Sequence, residues 1–445
     1  MKDTIAAIAT ASGKAGIAIV RISGEKAFRV LADCFRTASG TPLLPGRLRY
    51  GHVTDADGGF LDEAMAVCMQ APNSYTREDV AEIQCHGGSI NGERVLKRVL
   101  EAGARPALPG EFTRRAFENG RIDLSQAEAV MALIGADSQA AARAAQRQMA
   151  GGVSRLVDRA CEGLLSMLAL IEAGNDYPEE IEEEATLSQL LPMLKDVEKE
   201  LGSSLNEKWA HILRSGASAV LCGRPNTGKS SLMNAILESE RAIVTDIPGT
   251  TRDTLSEYLE IDGLRVTITD TAGQRDALDP VEQMGIEKAR RAEDAADLVI
   301  IVLDASCPLG EEDKKLLARA DERCLVLLNK SDLPAVPQPE LMGLPVLKVS
   351  AKTGEGLQAL RECIRDRLSG PASDEALLTG ERQIALCREA LSLVRRSRKA
   401  LEAGCPADIA SVDLQGALEA LWSMVGRNVR ESVIDQVFST FCVGK

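Results

Sequence analysis

The densest chemistry in this chain lies between Gly223 and Ser231, which read GRPNTGKSS. The spacing GxxxxGKS is that of a phosphate-binding loop. Its glycines let successive backbone N–H groups turn toward one phosphate, Lys229 adds a mobile positive charge, and the Ser230 hydroxyl can hold a magnesium ion. Asn226, Thr227, Gly228 and Ser231 complete the cradle. An apolar run, Ala217 to Leu221, reads as a buried strand entering the loop, and Ser231 to Leu237 reads as a helix leaving it. The motif requires that context.

Four further segments stand in the order that a guanine-nucleotide domain needs. Asp270, Thr271, Ala272 and Gly273 end the alternating run Leu264 to Thr269, which places Asp270 near the magnesium and Gly273 against a γ-phosphate. Asn329, Lys330, Ser331 and Asp332 close the apolar run Cys324 to Leu328, and the Asp332 carboxylate can accept both the N1 and N2 hydrogens of guanine, a pair that adenine lacks. Ser350, Ala351 and Lys352 follow a short strand-like run and are suited to closing over the base. Thr250 and Thr251 fall between the phosphate loop and Asp270, where a switch segment presents a threonine to magnesium when GTP rather than GDP is bound. Each tetrapeptide alone reads as a turn at a strand end; together they spell a nucleotide site.

The elements that must carry these residues are spread over 445 positions, enough for two or three domains. With 52 basic and 66 acidic residues, the net charge of −14 disfavours nonspecific attachment to nucleic acid or anionic membrane, so any RNA contact must be local. There is no apolar run of about 18 residues and no signal-peptide core, so a cytoplasmic protein without stable membrane insertion is expected. The 11 cysteines form no CxxC pair and only 3 histidines accompany them, which supports neither a disulfide framework nor a zinc site. Most of these cysteines, Cys161 and Cys222 among them, sit in apolar runs and are expected to be buried.

Residues 1–118 read as a small α/β domain, with strands at Ile17 to Ile22 and Glu63 to Met69 and helices at Glu25 to Cys34 and Gly92 to Ala102. Cys85 and His86, before a glycine turn, could form a nucleophile and base. As neighbours on one strand they point to opposite faces, which favours a structural His86. From Ile122 the pattern turns helical. Ser125 and Glu128 are expected to form a capping box, one helix runs toward Gly151, a second covers Val153 to Ala173, and a third covers Leu187 to Ala210. The acidic run Glu179 to Glu184 reads as a solvated face. Helices resume from Glu375 to Ala403 and from Asp413 onward, so a helical domain is interrupted by the nucleotide domain.

Arg21-Ile22-Ser23-Gly24, the segment PGEFTRRAFENG from Pro109 to Gly120, the interrupting GTPase and the ending Cys442-Val443-Gly444-Lys445 together resemble the MnmE (TrmE) family of tRNA-modifying GTPases over essentially the whole chain. The resemblance implies a multidomain α/β plus all-α fold. Its parts would be an N-terminal α/β tetrahydrofolate-binding and dimerisation domain (1–118), a helical domain in two parts (119–213 and 371–445) and an inserted Ras-like P-loop GTPase domain (214–370) with a mixed, mostly parallel sheet.

The same resemblance implies residue roles. Arg21, Glu82, Arg121 and Lys445 would hold a 5-formyl- or methylene-tetrahydrofolate; the family often has lysine where Arg121 stands. Asn226 and oxygens of Thr245, Ile247 and Thr250, in the loop that also contains Asp246, Pro248 and Gly249, would bind potassium, while Ser230 and Thr251 would bind magnesium. Glu282 would help position the attacking water, although as a bare sequence feature it reads equally as an exposed first-turn carboxylate. Gln274 departs from the family, which usually has an apolar residue there, and is the competing water positioner. Cys442 reads either as a nucleophile beside the one-carbon donor or as a helix-packing residue near Phe438 and Phe441.

The activity so implied is potassium-dependent GTP hydrolysis coupled to modification of C5 of a tRNA wobble uridine. The chain would work as a homodimer with an FAD-dependent MnmG-type partner. A regulatory GTPase switch in ribosome assembly or RNA binding, without modification chemistry, is the alternative, but the C-terminal part reads as plain helices rather than a GXXG-bearing KH module.

Overall fold

The computed structural model describes residues 3–11, 13–177, 179, 183–239, 256–270, 291–336, 345–370 and 378–444. It forms two compact units, each drawn from separated stretches of chain. The first comprises Met1–Met131, Gln148–Gly202 and Ala385–Lys445, and the second Ala132–Arg147 and Ser203–Ile384.

In the first unit the chain begins with β1 (Ile5–Ile8), β2 (Ile17–Ser23), α1 (Ala27–Cys34), β3 (Phe35–Thr37), β4 (Arg49–Thr54), β5 (Phe60–Met69), β6 (Val80–His86), α2 (Ser89–Glu101) and β7 (Arg105–Pro106). The strands lie in the order β3-β4-β5-β6-β2-β1-β7, antiparallel except where β1 meets β7. Alternation sets the two faces. Ala64, Ala66 and Cys68 of β5 and Ile83 and Cys85 of β6 join the core with Val95 and Val99 of α2, while Met65 and Glu63 face out. In register, Arg21 of β2 lies opposite Glu82 of β6.

Helices follow as α3 (Glu111–Glu118), α4 (Leu124–Ile134), α5 (Gln139–Met149), α6 (Gly152–Asp176) and α7 (Glu183–Ser204). The capping box lies two residues earlier than expected. Asp123 Oδ1 accepts the Gln126 N–H at 2.9 Å and Gln126 Oε1 accepts the Asp123 N–H at 3.0 Å, because an aspartate caps as well as a serine and Gln126 supplies the return bond. The expected single helix up to Gly151 is two. It breaks at 135–138, in the stretch 132–147 that belongs to the second unit, where Ser138 Oγ takes the Ala141 N–H at 3.2 Å and Asp137 pairs with Arg265 of that same unit's sheet. The expected Leu187 to Ala210 helix also divides, since Asn206 Oδ1 accepts the Trp209 N–H at 2.9 Å and starts α8 (Glu207–Ser215).

The second unit continues with β8 (Ala217–Cys222), α9 (Lys229–Ser239), β9 (Ser256–Ile261), β10 (Leu264–Asp270), β11 (Leu298–Asp304), α10 (Glu311–Leu317), β12 (Cys324–Asn329), β13 (Val346–Lys348) and α11 (Leu357–Leu368). Its six strands run β13-β12-β11-β8-β10-β9, all parallel pairs except β9 with β10. Every residue of β11 and β12 is buried, as expected of central parallel strands covered on both faces. This is the mixed, mostly parallel sheet expected of the inserted domain.

Back in the first unit, α12 (Glu381–Glu402), α13 (Ala407–Val425) and α14 (Glu431–Ser439) complete the chain, so the expected last helix is two, separated after Gly426. α13 packs along α6, and Leu414 and Leu421 of the one and Leu156 and Leu164 of the other are buried. Each such buried leucine contributes about 1.5–3 kcal/mol.

Candidate functional site

The phosphate loop joins the end of β8 to α9, and its geometry is fixed by residues from three other strands. Gly228 has φ +92°, and a Cβ there would fall 2.3 Å from Asn329 Nδ2, so only glycine lets the loop lie against β12. Asn329 Nδ2 donates to Thr227 O at 2.8 Å and its Oδ1 accepts the Ala351 N–H at 3.1 Å. One side chain thus joins phosphate loop, base loop and closing loop.

Lys330 has φ +65° and reaches back, donating from Nζ to Asn226 O at 2.8 Å and to Asp304 Oδ2 at 2.6 Å. Burial pushes the Asp304 carboxyl up, but the bonds from Lys330 and Ser306 outweigh it and hold the group below its ordinary value. Lys229, almost fully buried, donates to Gly223 O and Arg224 O at 2.9 and 2.8 Å. Ser230 Oγ donates to Asp270 Oδ2 at 2.7 Å. A serine hydroxyl and a carboxylate so placed offer two hard oxygen ligands for magnesium.

At the base end, Asp332 is held as a carboxylate. Its Oδ1 accepts the Ser350 hydroxyl at 2.6 Å, and that bond, with the charges of Lys352 and Lys330, lowers its pKa. Ser331 N–H donates to Val349 O at 3.1 Å, tying this turn to the segment before Ser350. Ser231 sits exposed in the first turn of α9. Thr245, Asp246, Ile247, Pro248, Gly249, Thr250, Thr251, Thr271, Ala272, Gly273, Gln274, Glu282 and Lys445 lie outside the described residues.

The first unit gathers a second set. Arg21 Nε donates to Glu82 Oε1 at 2.8 Å across β2 and β6. The Arg21 guanidinium carbon lies 5.6 Å from the Tyr75 ring centroid, and that of Arg121 lies 4.7 Å from the same ring. Arg121 Nη1 also donates to Tyr75 O at 3.0 Å, and the Tyr75 hydroxyl is 2.9 Å from Thr113 Oγ1. Two of the four expected folate residues, Arg21 and Arg121, therefore face one tyrosine ring, and a third, Glu82, is paired with Arg21. Sequence reading missed Tyr75; its only signal is an aromatic immediately after the Pro72-Asn73-Ser74 turn. Asp304 was missed too, although an aspartate closing the apolar run of β11 marks a strand end like Asp270 and Asn329.

The chain's last described residues run beside this unit's first strand. Gly444 has φ +100°, and a Cβ there would lie 2.3 Å from Ile8 O. Phe438 and Phe441 are buried with ring centroids 5.2 Å apart, whereas Cys442 is exposed and its carbonyl accepts the Gly110 N–H at 3.4 Å. Cys85 is buried, its thiol pushed up to about 11 by desolvation, and His86 Nδ1 lies 2.7 Å from Asp62 Oδ1, so these two are structural as expected. Cys161 and Cys222 are buried.

Two family models match the chain: "GTP-binding protein TrmE N-terminus" over residues 4–121 and "MnmE helical domain" over residues 124–442. A protein of Chloroflexus aurantiacus named tRNA modification GTPase MnmE is 45% identical, with all of both chains covered. Proteins of the same name from Symbiobacterium thermophilum and Lactiplantibacillus plantarum are 43% and 41% identical, each over 100% of this chain and over 100% and 98% of their own. With its fold, its nucleotide motifs and its full-length relatives in agreement, the chain belongs to the MnmE family of tRNA modification GTPases.

Proposed function

We propose that this protein binds GTP and GDP with magnesium, hydrolyses GTP with the help of potassium, and uses that cycle in modifying C5 of the wobble uridine of tRNA. The observation that carries the reading is the convergence of Lys229, Ser230, Asp270, Asn329 and Asp332 on one end of a mostly parallel sheet, in a chain that matches named tRNA modification GTPases over its full length. Lys229 and the loop amides neutralise phosphate charge, Ser230 and Asp270 take the metal, and Asp332 selects guanine. Thr251 is assigned to magnesium as well. Asn226, Thr245, Ile247 and Thr250 are assigned to potassium, and Glu282 rather than Gln274 to the water.

The second chemistry is assigned to the first unit. Arg21 and Glu82 would orient a folate, the carboxylate taking the donor edge of its pterin, with Tyr75 as a stacking face and Arg121 and Lys445 for the acidic tail. When bound, a 5-formyl- or methylene-tetrahydrofolate supplies the one-carbon unit. The aminomethyl or carboxymethylaminomethyl product requires an FAD-dependent MnmG-type partner, and the chain acts as a cytoplasmic homodimer. Among the described residues no helix is long and apolar enough to cross a membrane.

The test is nucleoside mass spectrometry of tRNA from a strain lacking its own family member, with and without this chain. Appearance of the C5-modified uridine only with the chain supports the reading. Guanine-nucleotide turnover by the purified chain with no change in tRNA nucleosides would leave a GTPase without modification chemistry.

A further inference from the structure

Behind the phosphate loop lies a buried contact that the nucleotide motifs do not account for. The Arg224 guanidinium places Nε 2.6 Å from Asp313 Oδ2 in α10 and Nη2 3.5 Å from Pro308 O. Asp313 is 1% exposed, and its Oδ2 also accepts the Gly310 N–H at 2.9 Å, closing the start of α10. Nε stands off the hydrogen-bond line and Asp313 Oδ1 has no hydrogen-bond partner among the described residues, so the pair is held by charge. A buried carboxylate deprived of its cation is strongly unfavourable, which fixes the arginine in place.

Loop amides can converge on a phosphate only while the loop's carbonyls face elsewhere. The carbonyls of Asn226 and Thr227 are held by Lys330 and Asn329. Those of Gly223 and Arg224 accept from Lys229, and Arg224 O also accepts the Thr227 hydroxyl at 3.0 Å. Lys229 must also serve the phosphates. The entry of the loop therefore depends on Arg224, whose side chain is anchored outside the loop.

We propose that Arg224 and Asp313 are a positioning pair for the phosphate loop, through which α10, a helix carrying none of the nucleotide motifs, sets the affinity for guanine nucleotides. The proposal rests on the nucleotide reading given above. A merely structural Asp313 would act only by accepting the Gly310 N–H at the start of α10, a bond that an asparagine side-chain oxygen can also accept.

The full-length chain and its variants Asp313→Asn, Arg224→Met, Arg224→Lys and the Asp313→Asn/Arg224→Met double would be compared for binding of fluorescent GDP, for kcat and KM of GTP hydrolysis, and for folding by circular dichroism. Each neutralising single change is expected to weaken GDP binding and raise KM by roughly tenfold or more, with kcat at saturation nearly unchanged and the double no worse than the worse single. Arg224→Lys keeps the charge but cannot span both Asp313 and Pro308, so an intermediate loss is expected. It also serves if the methionine variant fails to fold. A folded Asp313→Asn or Arg224→Lys protein with wild-type GDP affinity overturns the proposal, as do additive losses in the double. If the unmodified chain binds no guanine nucleotide, the nucleotide reading itself fails first.

Discussion

Ser230 Oγ and Asp270 Oδ2 stand 2.7 Å apart, joining the first turn of α9 to the last residue of β10. Strand register puts them there: β8 and β10 run parallel, with Asp270 opposite Leu221, two residues short of the phosphate loop. Backbone pairing thus brings together the two oxygens to which magnesium is assigned in the proposed function.

Base selection should reside in Asp332. Asp332→Asn is expected to shift preference from guanine toward xanthine, because the amide offers a donor where guanine N1–H needs an acceptor. The pH dependence follows from the lowered pKa. The ionised acceptor is fully present above the ordinary carboxylate range and is lost only as pH falls through the lowered folded value. Titration of Asp332 should therefore add no pH dependence to GDP affinity between about pH 8 and about pH 5, leaving only that of the nucleotide's own phosphate near pH 6. Titration of both nucleotides against both proteins checks this, and unchanged GTP affinity in the variant would place base selection elsewhere.

Potassium should govern turnover. Substituting sodium, which is too small for the potassium site proposed on Asn226 and the loop from Thr245 to Thr250, is expected to slow hydrolysis by more than about tenfold, toward the roughly 10²–10³-fold of losing one transition-state donor. Phosphate release at equal ionic strength in the two salts measures it. Equal rates would remove the cation from the mechanism.

Between the two water positioners, Glu282→Ala is expected to abolish hydrolysis while GTP binding persists, and Gln274→Leu to be tolerated. Single-turnover rates with affinity measured in parallel separate the cases. The reverse ranking would mean that this chain uses the glutamine of Ras-type proteins.

Cys442 should matter to modification alone. Cys442→Ser is expected to keep folding, dimerisation and potassium-stimulated hydrolysis yet to abolish the C5 product, since its exposed position leaves the packing to Phe438 and Phe441. Serine keeps the shape but is a much weaker nucleophile at neutral pH. Normal modification by this variant would deny the thiol a covalent role.

What the sequence made legible is local. A motif at the end of an apolar run declares a strand, a turn and a chemistry at once, so β8 and β12 with their loops, and β10 as far as Asp270, could be read directly. What stayed hidden depends on partners distant in the chain. Nothing near Asp304 names Lys330 as its partner, and nothing near Tyr75 says that Arg21 and Arg121 will face its ring. The helix break at Asp137 is of the same kind, since its reason, Arg265, is supplied by another strand. The misplaced capping box differs: Asp123 and Gln126 were in plain view, and a preference for serine obscured an equally good cap.

The way each unit is drawn from separated stretches bears on synthesis. Chains emerge from the ribosome in order and tend to fold as they do so. All of the second unit, through Ile384, is made before the first unit receives α13, the helix that covers the apolar side of α6. During that interval Leu156 and Leu164 lack their partner helix, and the nucleotide unit can complete its sheet first. A nascent chain stalled between α11 and α13 would therefore be expected to hold guanine nucleotide already, while depending on chaperones for its α6 surface.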